Sequence, residues 1–269
     1  MSELARFPLR LRFSGPEVDK IGVDLYDGAT SFQGFSQALQ IALHAYMSKK
    51  IVSRATALKG AQIYFGAPKH GSIIFDFITL IEKYPATTAL LSTGPFYDFI
   101  KYSLSKAIGH FSVTPETPSI RKLIEEDETF FDFLAENLEG SLQRAHRAVD
   151  NGVPQITLER PRSALIRFDS TSSEWVNTRE VSATAFEFTG NVTRYNSIST
   201  NGRAYIRELG RVIPFRLAPK FLDNKRGLLT WSLHGDTTAG LKDLKIWANR
   251  VESAQGEVKR LLFIDCVQA

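Results

Sequence analysis

Apolar positions change their spacing near Asn151-Gly152-Val153-Pro154. Before that point, long runs place them three and four residues apart, the period of a helix with one buried face. After it, short β-branched and aromatic runs alternate with turn residues. Leu9-Arg10-Leu11-Arg12-Phe13 alternates with period two and predicts a strand. Val18 to Tyr26 holds a second short apolar run, read as a strand ending at the turn signal Asp27-Gly28. Phe32, Phe35, Leu39, Ala42, Leu43 and Tyr46 predict a helix over about Ser31 to Lys49, capped by Thr30 or Ser31. Ala61–Phe65 and Ser72–Ile81 read as a hairpin around a Gly- and Pro-containing loop. Pro85 to Gly109 reads as one or two helices interrupted at Thr93-Gly94-Pro95, and Pro118 to Val149 as further helix.

From Gln155 onward the expected strands are Gln155–Leu158, Ala164–Phe168, Val181–Tyr195, Arg203–Ile206, Val212–Leu217, Leu228–Leu233, Leu241–Val251 and Val258–Ile264. A short helical connection is expected around Trp175. Asn201-Gly202 is the strongest hairpin-turn signal in the chain, because both residues accept positive φ. The fold class is therefore α+β. An N-terminal antiparallel sheet with helices, residues 1–150, precedes a C-terminal β-rich small barrel or sandwich, residues 155–269.

Composition narrows the class. At 43% hydrophobic and 23% charged residues, with 19 Phe, 8 Tyr and 3 Trp, the 269-residue chain is globular and carries enough apolar area for a sizeable core. A single cysteine, Cys266 in an apolar terminal run, excludes an internal disulfide framework and a cysteine-based zinc site. The N-terminus lacks the apolar segment of a secretory signal, and no apolar stretch is long enough for a membrane span. A cytoplasmic location with no membrane partner is the expectation. Residues 1–150 carry 16 Lys+Arg against 17 Asp+Glu, whereas residues 151–269 carry 17 against 12, so the basic excess belongs to the second half.

Catalytic signatures are missing. Neither Gly-x-Ser-x-Gly nor a glycine-rich phosphate loop occurs, and no two of the five histidines stand at i, i+4. No catalytic residue, metal ligand or cofactor is assigned. The acidic run Glu125-Glu126-Asp127-Glu128 reads as a helix junction with Asp127 as N-cap, because successive helical residues diverge and do not face one ion. Two candidate sites remain. Lys69, His70 and Ser72, in the hairpin loop, form an anion-loop candidate alongside the plainer reading of a turn. Arg194, Tyr195, Arg203, Tyr205, Arg207 and Arg211, within residues 188–216, combine phosphate-attracting guanidinium groups with aromatic platforms, the combination single-stranded nucleic acid needs. On an alternating strand Arg203, Tyr205 and Arg207 share the face opposite Ala204 and Ile206. An ordinary solvated sheet face is the alternative.

Asp24-Leu25-Tyr26-Asp27-Gly28, Pro68-Lys69-His70-Gly71-Ser72, and Gly202-Arg203-Ala204-Tyr205 with Pro214-Phe215 resemble a group of uncharacterised bacterial proteins classed as a domain of unknown function. The resemblance implies a bacterial or phage source and no particular activity. The functional expectation is a non-enzymatic binding or interaction module. The alternatives are a nucleic-acid-associated protein using the basic half and an enzyme with an unrecognised active site.

Overall fold

The computed structural model describes residues 4–54, 61–66, 74–82, 93–177, 181–235, 242–254 and 256–269. They form two compact units, Met1–Val176 and Asn177–Ala269.

The first unit is built on β1 (Leu4–Ser14), whose apolar alternation buries Phe7, Leu9, Leu11 and Phe13 on one side. Around it stand β2 (Ala61–Phe65), β3 (Ile74–Glu82), β4 (Gln155–Arg160) and β5 (Ser163–Phe168), in the order β2-β3-β1-β4-β5 with every pair antiparallel. Helices cover the apolar face. Phe7 meets Phe96 of α3 (Thr93–Ala107) with ring centroids 4.4 Å apart, and Phe35 of α2 (Leu25–Ser48), the second helix of the chain, meets Phe168 of β5 at 4.8 Å.

Local chemistry sets the helix ends, and it corrects two expectations. The run Val18–Tyr26 is not a strand. Pro16 opens the short helix α1 (Pro16–Lys20), and Asp24 then caps α2 by accepting from the Tyr26 and Asp27 N–H groups at 2.9 and 3.0 Å. The long helix thus starts six residues before Ser31. Ser31 is no cap: its buried hydroxyl accepts from the Ala148 N–H at 2.8 Å. Thr93-Gly94-Pro95 begins α3, as proline is tolerated in a first turn, and the part of the expected helix that precedes it, from Pro85 to Ser92, lies outside the described residues. Asp127 separates α4 (Pro118–Glu126) from α5 (Glu128–Ala145) and accepts from Phe130 N–H at 3.1 Å, the cap expected from the sequence. Two short helices, α6 (Arg147–Asp150) and α7 (Ser170–Val176), complete the unit. Helix α2 lies close on α5 at Gly34, where an added Cβ would stand 2.3 Å from the Ala145 backbone nitrogen.

Strands β4 and β5 belong to this first sheet. The change in apolar spacing at residues 151–154 marks a change from helix to strand, while the change of unit follows 22 residues later, after Val176. The register that pairs Arg10–Ser14 with Gln155–Glu159 joins segments about 145 positions apart, which no local pattern reveals.

The second unit is a closed barrel of β6 (Phe186–Asn196), β7 (Asn201–Ile206), β8 (Arg211–Leu217), β9 (Leu244–Glu252) and β10 (Val258–Gln268), in the order β10-β8-β7-β6-β9 and closed between β9 and β10. Only the β8–β10 pair is parallel. Phe188, Val192, Ile206, Ile213, Phe215, Ile246 and Phe263 fill its interior. The run Leu228–Leu233, expected as a strand, is part of helix α8 (Arg226–Leu233). A short apolar run fits either state, and here Leu229 and Ser232, three apart, are the buried pair. Ser232 ties the helix to the barrel, accepting from Val192 N–H at 2.9 Å and donating to the Lys242 carbonyl at 2.7 Å.

Asn201-Gly202 also departs from expectation. It lies inside β7 and both residues are buried. The β6–β7 turn falls at residues 197–200, where the Asn196 carboxamide oxygen accepts from Ile198 and Ser199 N–H and Thr200 takes φ 58°. Gly202 is required by packing: a Cβ there would lie 2.3 Å from the Phe215 ring. Among the described residues no helix is long and apolar enough to cross a membrane.

Candidate nucleic-acid interface

The six arginines and tyrosines singled out between residues 194 and 211 all lie on β6, β7 and β8 or the turn joining the last two. Only part of the set shares one face. Ala204 and Ile206 point into the barrel with no exposure, so Arg203 and Tyr205 point outward. Arg194 stands opposite Arg203 across the β6–β7 ladder, and Pro214 and Val212 of β8 stand opposite Arg203 and Tyr205 on the other side. Arg216, two positions beyond Pro214, continues the outer face of β8 and is exposed. The result is a three-strand outer surface: Arg194 and Arg203 lie side by side two positions from the half-exposed ring of Tyr205, and Arg216 lies further along, opposite Asn201.

The other three residues turn away. A bulge at Thr193 shifts the β6 register by one, so Tyr195 rotates toward the interior and stacks on Phe215 at 6.3 Å and 15°. Burial raises the pKa of its hydroxyl. Strand β7 ends at Ile206, and Arg207 lies in the 3-10 turn Arg207–Leu209, held by Asp243 at 2.6 and 2.8 Å. Arg211 donates to the Val258 carbonyl at 2.6 Å. Glu208, the acid within this cluster, accepts from the Thr189 N–H. These partners lie 19 to 47 positions away in sequence, which is why alternation alone kept Arg207 and Arg211 in the set. Arg216 was within the same arginine cluster, and its outward parity with Pro214 would have found it.

Charge collects in this unit. Residues 177–269 carry 14 Lys+Arg against 9 Asp+Glu, a net of +5, while residues 1–176 carry 19 against 20. The loop candidates Lys69, His70 and Ser72 lie outside the described residues.

The described residues hold no group of three or more His, Cys, Asp or Glu side chains suited to a metal ion. One serine–histidine contact has the look of a nucleophile pair. His146 Nε2 lies 2.8 Å from the Ser172 hydroxyl, and its Nδ1–H donates to the Leu142 carbonyl at 2.7 Å. Both side chains have no exposure, so no substrate meets them. Ser172 instead belongs to the start of α7, where it accepts from Asp169 N–H at 2.8 Å. Burial pushes the His146 pKa below its ordinary value and keeps the ring neutral. The Cys266 thiol is buried and pushed up to about 11 by burial and by Asp265, so it is an inert packing group.

In the barrel the third and fifth strands pair in parallel, and α8 lies between the third and fourth strands in sequence. The first unit is what identifies the chain. Residues 9–177 match a domain of unknown function, DUF7946, and the protein belongs to that family. The match coincides with the sheet-and-helix unit and ends at the first residue of the second unit. No curated protein and no solved structure matches the chain.

Proposed function

We propose that the protein is a non-enzymatic binding protein whose barrel takes up single-stranded nucleic acid. The observation that carries this reading is the placing of Arg194, Arg203 and Tyr205 on one outer face of β6 and β7, with Arg216 of β8 extending the basic surface opposite Asn201. The strand order, the parallel pair and the position of α8 support likening the barrel to the OB class, whose members bind oligonucleotides and oligosaccharides across their second and third strands, flanked by the loops joining strands one to two and four to five. Here those strands are β7 and β8. The first flanking loop, residues 197–200, presents Ile198 at 95% exposure. Guanidinium groups attract the phosphates and an exposed ring stacks on a base, a sequence-tolerant pairing. Fold class alone does not assign a ligand, so the residues on the face carry the argument. A cytoplasmic setting in a bacterial cell accompanies the reading, and the single buried thiol is consistent with a reducing compartment.

Fluorescence anisotropy with labelled single-stranded and duplex oligonucleotides tests it. Single strands are expected to bind more tightly than duplex. Tyr205→Ala is expected to weaken them by about 1–3 kcal/mol, the range for loss of one base–aromatic stack. Duplex binding as tight as single-strand binding, with no effect of Tyr205→Ala, would show that this face does not read unpaired bases.

A further inference from the structure

The family-matched unit carries its own arginine-lined cavity, on the sheet face opposite the helices. It arises because β1 outlasts β4. Their ladder runs only from Arg10 to Ser14, so β1 continues past it unpaired on that side. Pro8, which has no N–H to give, sits beyond the end of that ladder, and the Tyr97 hydroxyl donates to its carbonyl at 2.7 Å. The gap is a cavity of about 490 Å³, within the size range of small-molecule sites.

Its charged lining is Arg10, Arg12, Arg160 and Arg162 against Asp76 and Glu159, a net of +2. The two carboxylates serve as anchors. Asp76 holds Arg10 through Nε at 2.8 Å, and Glu159 holds Arg12 through Nε at 2.9 Å. A guanidinium fixed by that edge is pre-set to present its remaining donors to a planar or tetrahedral oxyanion. The β4–β5 turn supplies the other two. Arg160 is steadied by donating to the Ser163 hydroxyl at 2.8 Å. Arg162 takes φ 71°, a left-handed conformation in which glycine is the relaxed residue. The chain holds an exposed arginine in a strained backbone position at the rim of a cavity that already contains three more.

We propose that this cavity binds a small molecule through a phosphate monoester. A monoester carries a charge of about −1.5 to −2 at neutral pH, which matches the lining, and its three terminal oxygens suit converging guanidinium forks. The cavity exceeds the volume of a phosphate alone, so the remainder of the ligand is seated on Pro8, Pro161 and Ala164.

Titration calorimetry of the full chain with inorganic phosphate, adenosine monophosphate and adenosine, at matched ionic strength, tests the assignment. Adenosine monophosphate is expected to bind at least tenfold more tightly than adenosine. Arg162→Gly is the decisive variant, because glycine accepts the same φ and the fold is retained. It is expected to lose tenfold or more in affinity while its melting temperature holds or rises. Arg160→Ala serves as a second loss-of-charge variant, with a similar loss expected. Equal binding of adenosine and its monophosphate, no binding of phosphate or monophosphate at millimolar concentration, or wild-type affinity in both variants would overturn the proposal. None of these results bears on the barrel face, which lies in the other unit.

Discussion

Gly34 and Gly140 lie inside α2 and α5, and alanine at the two positions should act in opposite directions. In each helix the substitution gains about 0.8–1 kcal/mol of helix propensity. At Gly140 an added Cβ meets nothing within 4 Å, so the gain is kept. At Gly34 the Cβ arrives 2.3 Å from the Ala145 nitrogen, 2.6 Å from the Ser141 carbonyl oxygen and 2.8 Å from the Ala145 Cα. All three are backbone atoms, so no side-chain rotation relieves the overlap. The helices must separate by roughly 1 Å to restore ordinary contact. Overpacking of this kind costs about 1–3 kcal/mol, and the upper part of that range applies where backbone must move. After the propensity gain, Gly34→Ala should lose about 1–2 kcal/mol and Gly140→Ala should gain about 1. For a unit of this size the two variants should melt roughly 5–10 °C apart. Urea denaturation followed by far-ultraviolet circular dichroism measures both, with unchanged slopes expected. A Gly34→Ala protein as stable as Gly140→Ala would refute the close α2–α5 approach.

Three further outcomes follow from buried groups. Lys106 and Asp132 form an ion pair at 2.7 Å with about a tenth of each side chain exposed, so Asp132→Asn should cost about 3–5 kcal/mol by removing the negative charge that offsets the buried ammonium; a loss below 1 kcal/mol in denaturant titration would contradict that burial. His146 is held neutral with a pKa below 6.5, so the unfolded chain takes up more protons as the pH falls through 6.5, and native stability should decrease from pH 7.5 to 5.5. His146→Gln should show a smaller decrease over the same interval, and an equal one would remove His146 as a source of it. Cys266 should resist alkylation by iodoacetamide at pH 8 in the native protein and react on unfolding; rapid native labelling, read by mass spectrometry, would contradict its burial.

Periodicity sustained over several turns was legible. The α2 stripe from Phe32 to Tyr46 and the β1 alternation from Leu9 to Phe13 each bury the face they mark. Asp127 was legible as a cap because its side chain acts on a residue three positions away. Short apolar runs were not, since Val18–Tyr26 and Leu228–Leu233 are compatible with either backbone state. Asn201-Gly202 misled for a different reason: the packing demand of Phe215, 13 residues on, outweighed local turn chemistry. In the candidate interface, Arg203 and Tyr205 were placed by strand parity. Tyr195 was turned by one bulge residue, and Arg207 was taken by Asp243, 36 positions away. The arginine-lined cavity was hidden altogether, because it joins residues 10, 76 and 160 through sheet register.

The barrel face is tested most directly by the salt dependence of single-stranded oligonucleotide binding, compared between wild type and Arg203→Glu/Arg216→Glu. Three arginines contacting phosphates give a slope of about −2 in log K against log salt, or roughly a 20-fold loss between 50 and 200 mM. That slope is expected for wild type and for a control reversal of an exposed pair in the first unit, Lys20→Glu/Lys122→Glu. Loss of binding is expected in the barrel variant, with its circular dichroism spectrum intact. No binding by wild type at 50 mM salt, or equal binding by the folded barrel variant, would contradict this reading and leave the basic face as solvated sheet.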